Sequence, residues 1–211
     1  MVAGYLLIGI AVVADLFYLF FPLMSGFFLV GPIVAVGLYE ISRRRELALP
    51  VSMGVALQAW RANGSQFAAF GVVLMLIFLA WMRLTMLIFA LLFGGLTPSW
   101  ENFVQRVFLS VESFPLLVAM LFMGALLSVV VFAISALAVP MLLDRSINAF
   151  AAMRFSVLGV KRNLLPMALW ASIIVAFTVL GLATFLIGLG VMLPLIGHAT
   201  WHAYQDTLGN R

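Results

Sequence analysis

The sequence predicts an all-α protein, a polytopic transmembrane bundle of six helices with amphipathic surface helices, as a single integral membrane domain over residues 1–211. Hydrophobic residues make up 66% of the chain and charged residues 9%, with a mean hydropathy of +1.25. So few charges could not cover a soluble domain of this size, so the solvent must be lipid. The apolar runs also approach the roughly 20 residues that a membrane-crossing helix needs.

A short break separates the first two predicted spans. The first, residues 2–21, contains a single charge, Asp15. Residues 22–26 then interrupt the helix, because proline lacks a backbone N–H and glycine tolerates positive φ. The second span, residues 26–41, is short and leads into the arginine triplet at residues 43–45. We expect this span to be thin or bent and to pack against protein, since its Gly and Pro residues leave carbonyls unpaired.

Four further spans are predicted from the remaining apolar runs. They are residues 66–93, 114–143, 164–187 and 191–204. The third of the six spans carries Arg83, and the sixth carries His198 and His202.

Three segments have the spacing of amphipathic helices that lie on the membrane surface. They cover residues 50–62, 99–109 and 145–162. In the first, Met53, Ala56, Leu57 and Trp60 share one face. In the third, the residues expected to face lipid are Ile147, Phe150, Met153 or Ala151, Val157 and Val160.

The placement of basic residues predicts the topology. Nine of the eleven Lys and Arg residues lie in two segments and the C-terminal tail, which six spans put on one side of the membrane. The positive-inside rule then puts both termini of this multi-pass protein on the cytoplasmic side. We expect no nucleic-acid partner, because the arginines are few and lie at the membrane plane. The residues expected to contact anionic headgroups are Arg43, Arg44, Arg45, Arg61, Arg154, Lys161 and Arg162.

Asp15 and Arg83 are the predicted intramembrane charges, at similar depths in their spans. A bare charge in hydrocarbon costs several kcal/mol, so we predict that the two form an ion pair. Such a pair is either part of an ion or proton path or a purely structural ion pair. In the remaining alternative, the Arg83 side chain extends towards the outer membrane–water interface.

His198 and His202 are the candidate metal or haem ligands. Their spacing of four residues places both imidazoles on one helix face, and Tyr39, Glu40 and Asp144 lie at helix ends on the same side. The alternative is an interfacial aromatic belt formed with the neighbouring Trp201 and Tyr204. No cofactor other than this metal or haem is expected, and the absence of Cys excludes thiolate ligands and disulfides.

Several motifs together resemble a known family. The two longest are Pro-Leu-Met-Ser-Gly-Phe from Pro22, continuing to Gly-Leu-Tyr-Glu-Ile-Ser-Arg-Arg at Arg44, and Gly-His-Ala-Thr-Trp-His-Ala-Tyr ending at Tyr204. They resemble a proteobacterial family of predicted integral membrane proteins catalogued as a domain of unknown function. The resemblance implies a six-helix inner-membrane protein and no reaction, so it assigns no functional residues.

Three functions remain open at the level of sequence. A non-catalytic accessory, assembly or stabilising subunit of a larger respiratory or photosynthetic membrane complex is favoured, because polar residues within the spans are sparse. The alternatives are a small transporter using Asp15 and Arg83, and a haem- or metal-binding protein using His198 and His202. The chain has no P-loop, dinucleotide fingerprint or Gly-x-Ser-x-Gly motif, and we assign no catalytic residue.

Overall fold

A computed structural model describes residues 31–33, 35–93, 110–184 and 187–209 of the chain. These residues are helical apart from short turns and connections, and they contain no strand, which confirms the all-α class. The first predicted span and the surface helix at residues 99–109 lie outside the described residues.

Eight α-helices, numbered here in chain order, account for most of the described chain. They are α1 Val36–Glu46, α2 Met53–Gln58, α3 Gly64–Phe93, α4 Phe114–Ser135, α5 Ala138–Asp144, α6 Ala149–Arg162, α7 Leu164–Ala183 and α8 Leu189–Tyr204. Short 3-10 helices, Ala59–Asn63 and Val111–Ser113, precede α3 and α4, and a π-helical turn, Gln205–Gly209, follows α8.

Three described helical stretches are long and apolar enough to cross a membrane: Met53–Leu92, Phe114–Asp144 and Leu164–Ala183. The first has 40 residues, or about 60 Å at the helical rise, twice the hydrocarbon thickness. A stretch of this length exceeds what one crossing needs, and it contains the 3-10 segment that precedes α3. Helices α1 and α8, which cover described parts of the second and sixth predicted spans, are shorter, with 11 and 16 residues.

The chain divides into two compact units, to which α3 and α4 each contribute residues. In its described part, the first unit comprises residues 74–93 and 110–130. Its core centres on Leu116, against which Ile88, Phe89, Leu117 and Met120 pack.

The second unit comprises the remaining described residues and contains nearly all the candidate site residues. Helix α1 is its central element, because it contacts α2 on one side and α8 on another. A Cβ on Gly37 would lie 2.8 Å from the Ala56 carbonyl oxygen, and one on Gly197 would lie 3.0 Å from the Leu38 Cβ. Both glycines therefore permit a close approach of helices.

The predicted span at residues 114–143 is divided into α4 and α5 by a turn at residues 136–137. Pro140 lacks the N–H that would continue the helical ladder, and it lies in the first turn of α5, where proline is tolerated. Ser156 of α6 stabilises the break from outside: its Oγ accepts from the Leu137 N–H at 3.2 Å and donates to the Ala133 carbonyl at 2.8 Å.

Most of the residues expected to face lipid in the surface segments are exposed or half-buried. Met53, Leu57 and Trp60 are exposed, whereas Ala56 packs against Gly37. In α6, Phe150 is exposed and Ala151 is half-buried, whereas Met153, the alternative to Ala151, is only 9% exposed and faces protein. Alternation of apolar residues defines a stripe on a helix, but it does not distinguish contact with protein from contact with lipid.

Candidate functional site

The best-defined polar site lies where the C-terminal ends of α1, α5 and α8 meet within the second unit. Eight side chains form what we call the polar cluster. They are Glu40, Ser42, Glu46, Asp144, His198, Trp201, His202 and Tyr204.

Glu40 is the most buried carboxylate of the cluster, with 6% of its side chain exposed. Arg43 Nε lies 2.9 Å from one of its oxygens and Arg44 Nε lies 2.7 Å from the other, at helical spacings of three and four residues. The hydrogen bond to Glu40 raises the pKa of Arg43. Two guanidinium groups thus compensate the buried carboxylate, and removing both would leave an unpaired charge.

Glu46, one turn beyond Ser42, holds the end of α8. Its Oε2 accepts a 2.8 Å hydrogen bond from the indole N–H of Trp201, and its Oε1 lies 3.2 Å from Nδ1 of His202. Trp201 is fully buried and contacts the ring of Tyr204 at a centroid distance of 5.6 Å. Because the indole has no other polar group, this carboxylate satisfies its hydrogen-bonding requirement.

His198 has a different partner from His202. Its Nδ1 lies 2.7 Å from the Ser42 hydroxyl, with the donor set by the imidazole tautomer. The Ser42–His198 and Glu46–His202 contacts each advance four residues along α1 and α8 in the same direction. The two helices are therefore parallel where they meet, and their C-terminal ends lie together.

The two histidines thus share a helix face, as their spacing predicts, but they engage separate groups. No set of three or more His, Asp or Glu residues within the described ranges is close enough to hold a metal ion. Tyr39 shares a hydrogen bond with Thr200, and Glu40 binds its two arginines. The metal prediction therefore has no third ligand in this part of the chain.

Asp144 links α5 to α8. The Tyr204 hydroxyl donates to its Oδ2 at 2.8 Å, and Arg145 Nε lies 3.8 Å from the same oxygen. Arg145 also donates to the Leu208 carbonyl at 2.5 Å, which holds the π-helical turn after α8. Asp144 is therefore an interhelical acceptor as well as the neighbour of a basic residue.

An open pocket of about 370 Å³ lies beside Asp144. Asn63 donates from its amide to the carbonyls of Leu142 and Ile147, and Gln66 accepts from the Ala149 N–H. The amides of Asn63 and Gln66 are thus used to join the 3-10 segment to α5 and the following connection, and α3 to the start of α6. The lining residues are Ala62, Asn63, Gln66, Leu142, Leu143, Asp144, Arg145, Ser146, Ile147 and Asn148.

The predicted Asp15–Arg83 pair remains a prediction. Arg83 is exposed on α3, while Asp15 lies outside the described residues. Of the predicted lipid-contacting cations, Arg43 and Arg44 bind Glu40, whereas the exposed ones are Arg45, Arg61, Arg154, Lys161 and Arg162.

Sequence reasoning missed Ser42, Glu46 and the role of Trp201 as a hydrogen-bond donor. One signal was available, because Ser42 and Glu46 have the same four-residue spacing as His198 and His202. Matching the two pairs requires knowing that α1 and α8 are neighbours, which the spacing alone does not tell.

A family model described as "Predicted integral membrane protein (DUF2189)" matches residues 20–144, more than half of the chain. This match confirms the resemblance to a family of predicted integral membrane proteins of unknown function. No curated protein and no solved structure matches the chain significantly. The matched region includes α1 to α5, and hence Glu40, Ser42, Glu46 and Asp144, but ends before α8.

Proposed function

The chain belongs to this family of predicted integral membrane proteins, and from that premise we propose that it is a non-catalytic accessory, assembly or stabilising subunit of a larger complex in the bacterial inner membrane. The observation that carries the proposal is that the carboxylates of the polar cluster bind groups of this same chain.

The polar cluster supports this role because its carboxylates bind groups of this chain. Glu40 is compensated by arginines of its own helix, and Glu46 and Asp144 accept from Trp201 and Tyr204 of α8. A catalytic site needs a base or nucleophile directed towards a substrate. Glu40 is instead directed at arginines of its own helix, and Glu46 and Asp144 are directed at α8, which is the arrangement of a structural joint.

The described spans support the same role. Hydroxyl groups in them return to carbonyls one turn earlier on their own helix: Thr85 to Trp81, Ser135 to Val131 and Ser172 to Ala168. A transport path requires polar groups that line a cavity near the membrane midplane. Hydroxyls bonded to their own helix provide little such lining, and α7 contains no charged residue.

Large apolar side chains project from the described spans. On α4, Leu121 is 77% exposed and Phe122 is 68% exposed. Helices in membranes associate through packing and interhelical hydrogen bonds rather than through hydrophobic burial from water. An apolar exterior of this kind accommodates either lipid or the helices of a partner, which a subunit of a complex requires.

Co-purification in a mild non-ionic detergent tests the proposal. We expect the chain, tagged after Arg211, to retain at least one other membrane protein in a fixed ratio that a second purification step does not change. The control is an unrelated multi-span protein with the same tag and expression level. Isolation of the chain alone, at every detergent-to-protein ratio that keeps it soluble, would contradict the accessory role.

The same preparation tests the haem and metal alternative. A visible absorbance band or a stoichiometric metal that disappears in His198→Ala/His202→Ala would favour it. An unchanged metal content in this double variant would show that bound metal does not depend on these histidines.

A further inference from the structure

We propose that the exposed face of α6 is a docking surface for an anionic bilayer, on which Arg154, Lys161 and Arg162 bind lipid phosphates while neighbouring aromatic rings enter the interface. This inference does not depend on the accessory role, because it concerns the membrane and not a protein partner.

Helix α6 has two faces with different neighbours. Its buried face is fixed to the turn between α4 and α5 by the two hydrogen bonds of Ser156. Because successive residues of an α-helix are rotated by 100° about its axis, the opposite face carries the three cations together with apolar side chains. The buried residues are Ala149, Ala152, Met153, Ser156 and Gly159, and the exposed ones are Phe150, Arg154, Phe155, Leu158, Lys161 and Arg162.

The positive charge of this face is not neutralised by α6 itself, which contains no Asp or Glu. Among the described ion pairs, none involves Arg154, Lys161 or Arg162. Three cations with their charge available on one helix face attract anionic headgroups, and this attraction is weakened by salt.

The apolar residues of the same arc distinguish a bilayer from a water-facing basic surface. Phe150 is 71% exposed and Phe155 is 47% exposed, and they flank the cations on either side. Aromatic and basic residues combined on one exposed face are typical of helices that lie in the membrane interface.

The position of α6 in the chain places it at headgroup depth. Lys161 and Arg162 directly precede Asn163, after which α7 begins at Leu164. Helix α7 is one of the candidate membrane spans. Cations within a turn of such a span's first residue lie close to the lipid phosphates.

A second exposed segment lies at the same end of the unit as the start of α6. Asn63 and Gln66 hydrogen-bond to the stretch around the start of α6, so the preceding residues lie at the same end of the unit. There, Met53 and Trp60 are exposed, and the Arg61 guanidinium lies 5.7 Å from the Trp60 ring centroid. This pairing repeats the combination of cation and aromatic ring found on α6.

A bilayer fits these charges better than a single anion does. Arg154 and Arg162 are eight residues apart, or about 12 Å along the helix axis. One phosphate cannot contact both, whereas a headgroup layer offers a phosphate to each.

Lipid retention tests the proposal on the full chain. The protein is exchanged into micelles containing equal amounts of phosphatidylglycerol and phosphatidylcholine, repurified, and analysed for bound lipid by mass spectrometry. We expect wild type to retain phosphatidylglycerol severalfold over phosphatidylcholine. The variant R154Q/K161Q/R162Q should lose most of this preference, and 500 mM NaCl should reduce it in wild type.

Two control variants separate charge on this face from charge in general. R154K/R162K conserves the charge and should keep the preference, and R83Q removes a cation from α3 and should also keep it. Should the triple variant fail to fold, K161Q, which changes the only lysine of the chain, takes its place and should lower the preference measurably.

Three results would overturn the proposal. The first is a wild type without preference for the anionic lipid, or a preference that R154Q/K161Q/R162Q and K161Q both retain. The second is displacement of phosphatidylglycerol by inorganic phosphate but not by chloride at matched ionic strength, which would indicate a site for a free anion. The third is a co-purifying protein that is lost only when the α6 cations are removed, which would make this face a protein interface.

Discussion

At the scale of single residues, Ala48 departs most clearly from ordinary backbone preferences within the part of the chain that the structure describes. It has a φ of 53°, in the left-handed region that glycine favours. Its N–H donates to the Arg45 carbonyl and the Leu49 N–H to the Arg44 carbonyl, at 3.2 and 2.8 Å. These two bonds form the Schellman motif that ends α1, just after the arginine triplet at residues 43–45.

Ala48→Gly should therefore stabilise the protein. Glycine adopts this φ without the steric cost of a Cβ, which for an L-residue is about 1 kcal/mol. We expect a higher midpoint in thermal unfolding in detergent. The matched control is Ala56→Gly within α2, where the same change should lower the midpoint because glycine is a poor helix former. Equal shifts in both variants would argue against the left-handed cap.

At the scale of helices, the position of α1 depends on glycines at its contacts. Gly37 lies so close to the Ala56 backbone that an added Cβ would approach the carbonyl oxygen to 2.8 Å. Backbone cannot move aside as a flexible side chain can, so α1 and α2 would have to separate.

Gly37→Ala should accordingly destabilise the second unit, by roughly 1 to 3 kcal/mol as for other overpacked sites. Thermal unfolding in detergent measures the effect. Gly54→Ala in α2 is the control: only the Ser52 hydroxyl lies near its added Cβ, at 3.9 Å, so the helix-forming advantage of alanine should make this change neutral or stabilising. A Gly37→Ala protein as stable as wild type would contradict the close contact.

At the scale of the whole molecule, the parallel contact of α1 and α8 bears on topology. Ser42 and Glu46 meet His198 and His202, so the arginine triplet and the C-terminal tail leave their helices at the same end of the unit. Asp144 joins them through Tyr204. This supports the prediction from basic residues that the tail and both basic segments share one compartment.

Single-cysteine labelling measures this directly, because the chain has no cysteine of its own. In intact spheroplasts, an impermeant maleimide should fail to label Arg45→Cys, Ser146→Cys or Asp206→Cys and should label each after permeabilisation. Ser99→Cys, between the third and fourth predicted spans, should be labelled without permeabilisation. Labelling of Asp206→Cys but not Arg45→Cys in intact cells would refute an even number of spans.

Patterns within short stretches of sequence predicted the helices and their ends but not the contacts between distant helices. The spans around α3 and α7 follow from long apolar runs, and the side-chain caps of Ser52 and Asn148 lie beside the surface helices that periodicity predicts. The division between α4 and α5 was not predicted. Pro140 alone permits either a kink or a break, and the bonds from Ser156, 19 residues later, stabilise the break.

By itself, the sequence determined that the chain is helical, belongs in lipid and collects its cations in a few segments, because composition and run length act residue by residue. Only the tertiary structure decided that Ser42 bonds His198 and Glu46 bonds Trp201, across 156 and 155 positions of chain. It likewise decided which face of α6 is covered. Such pairings depend on how distant helices align along their axes, and no local spacing specifies that alignment.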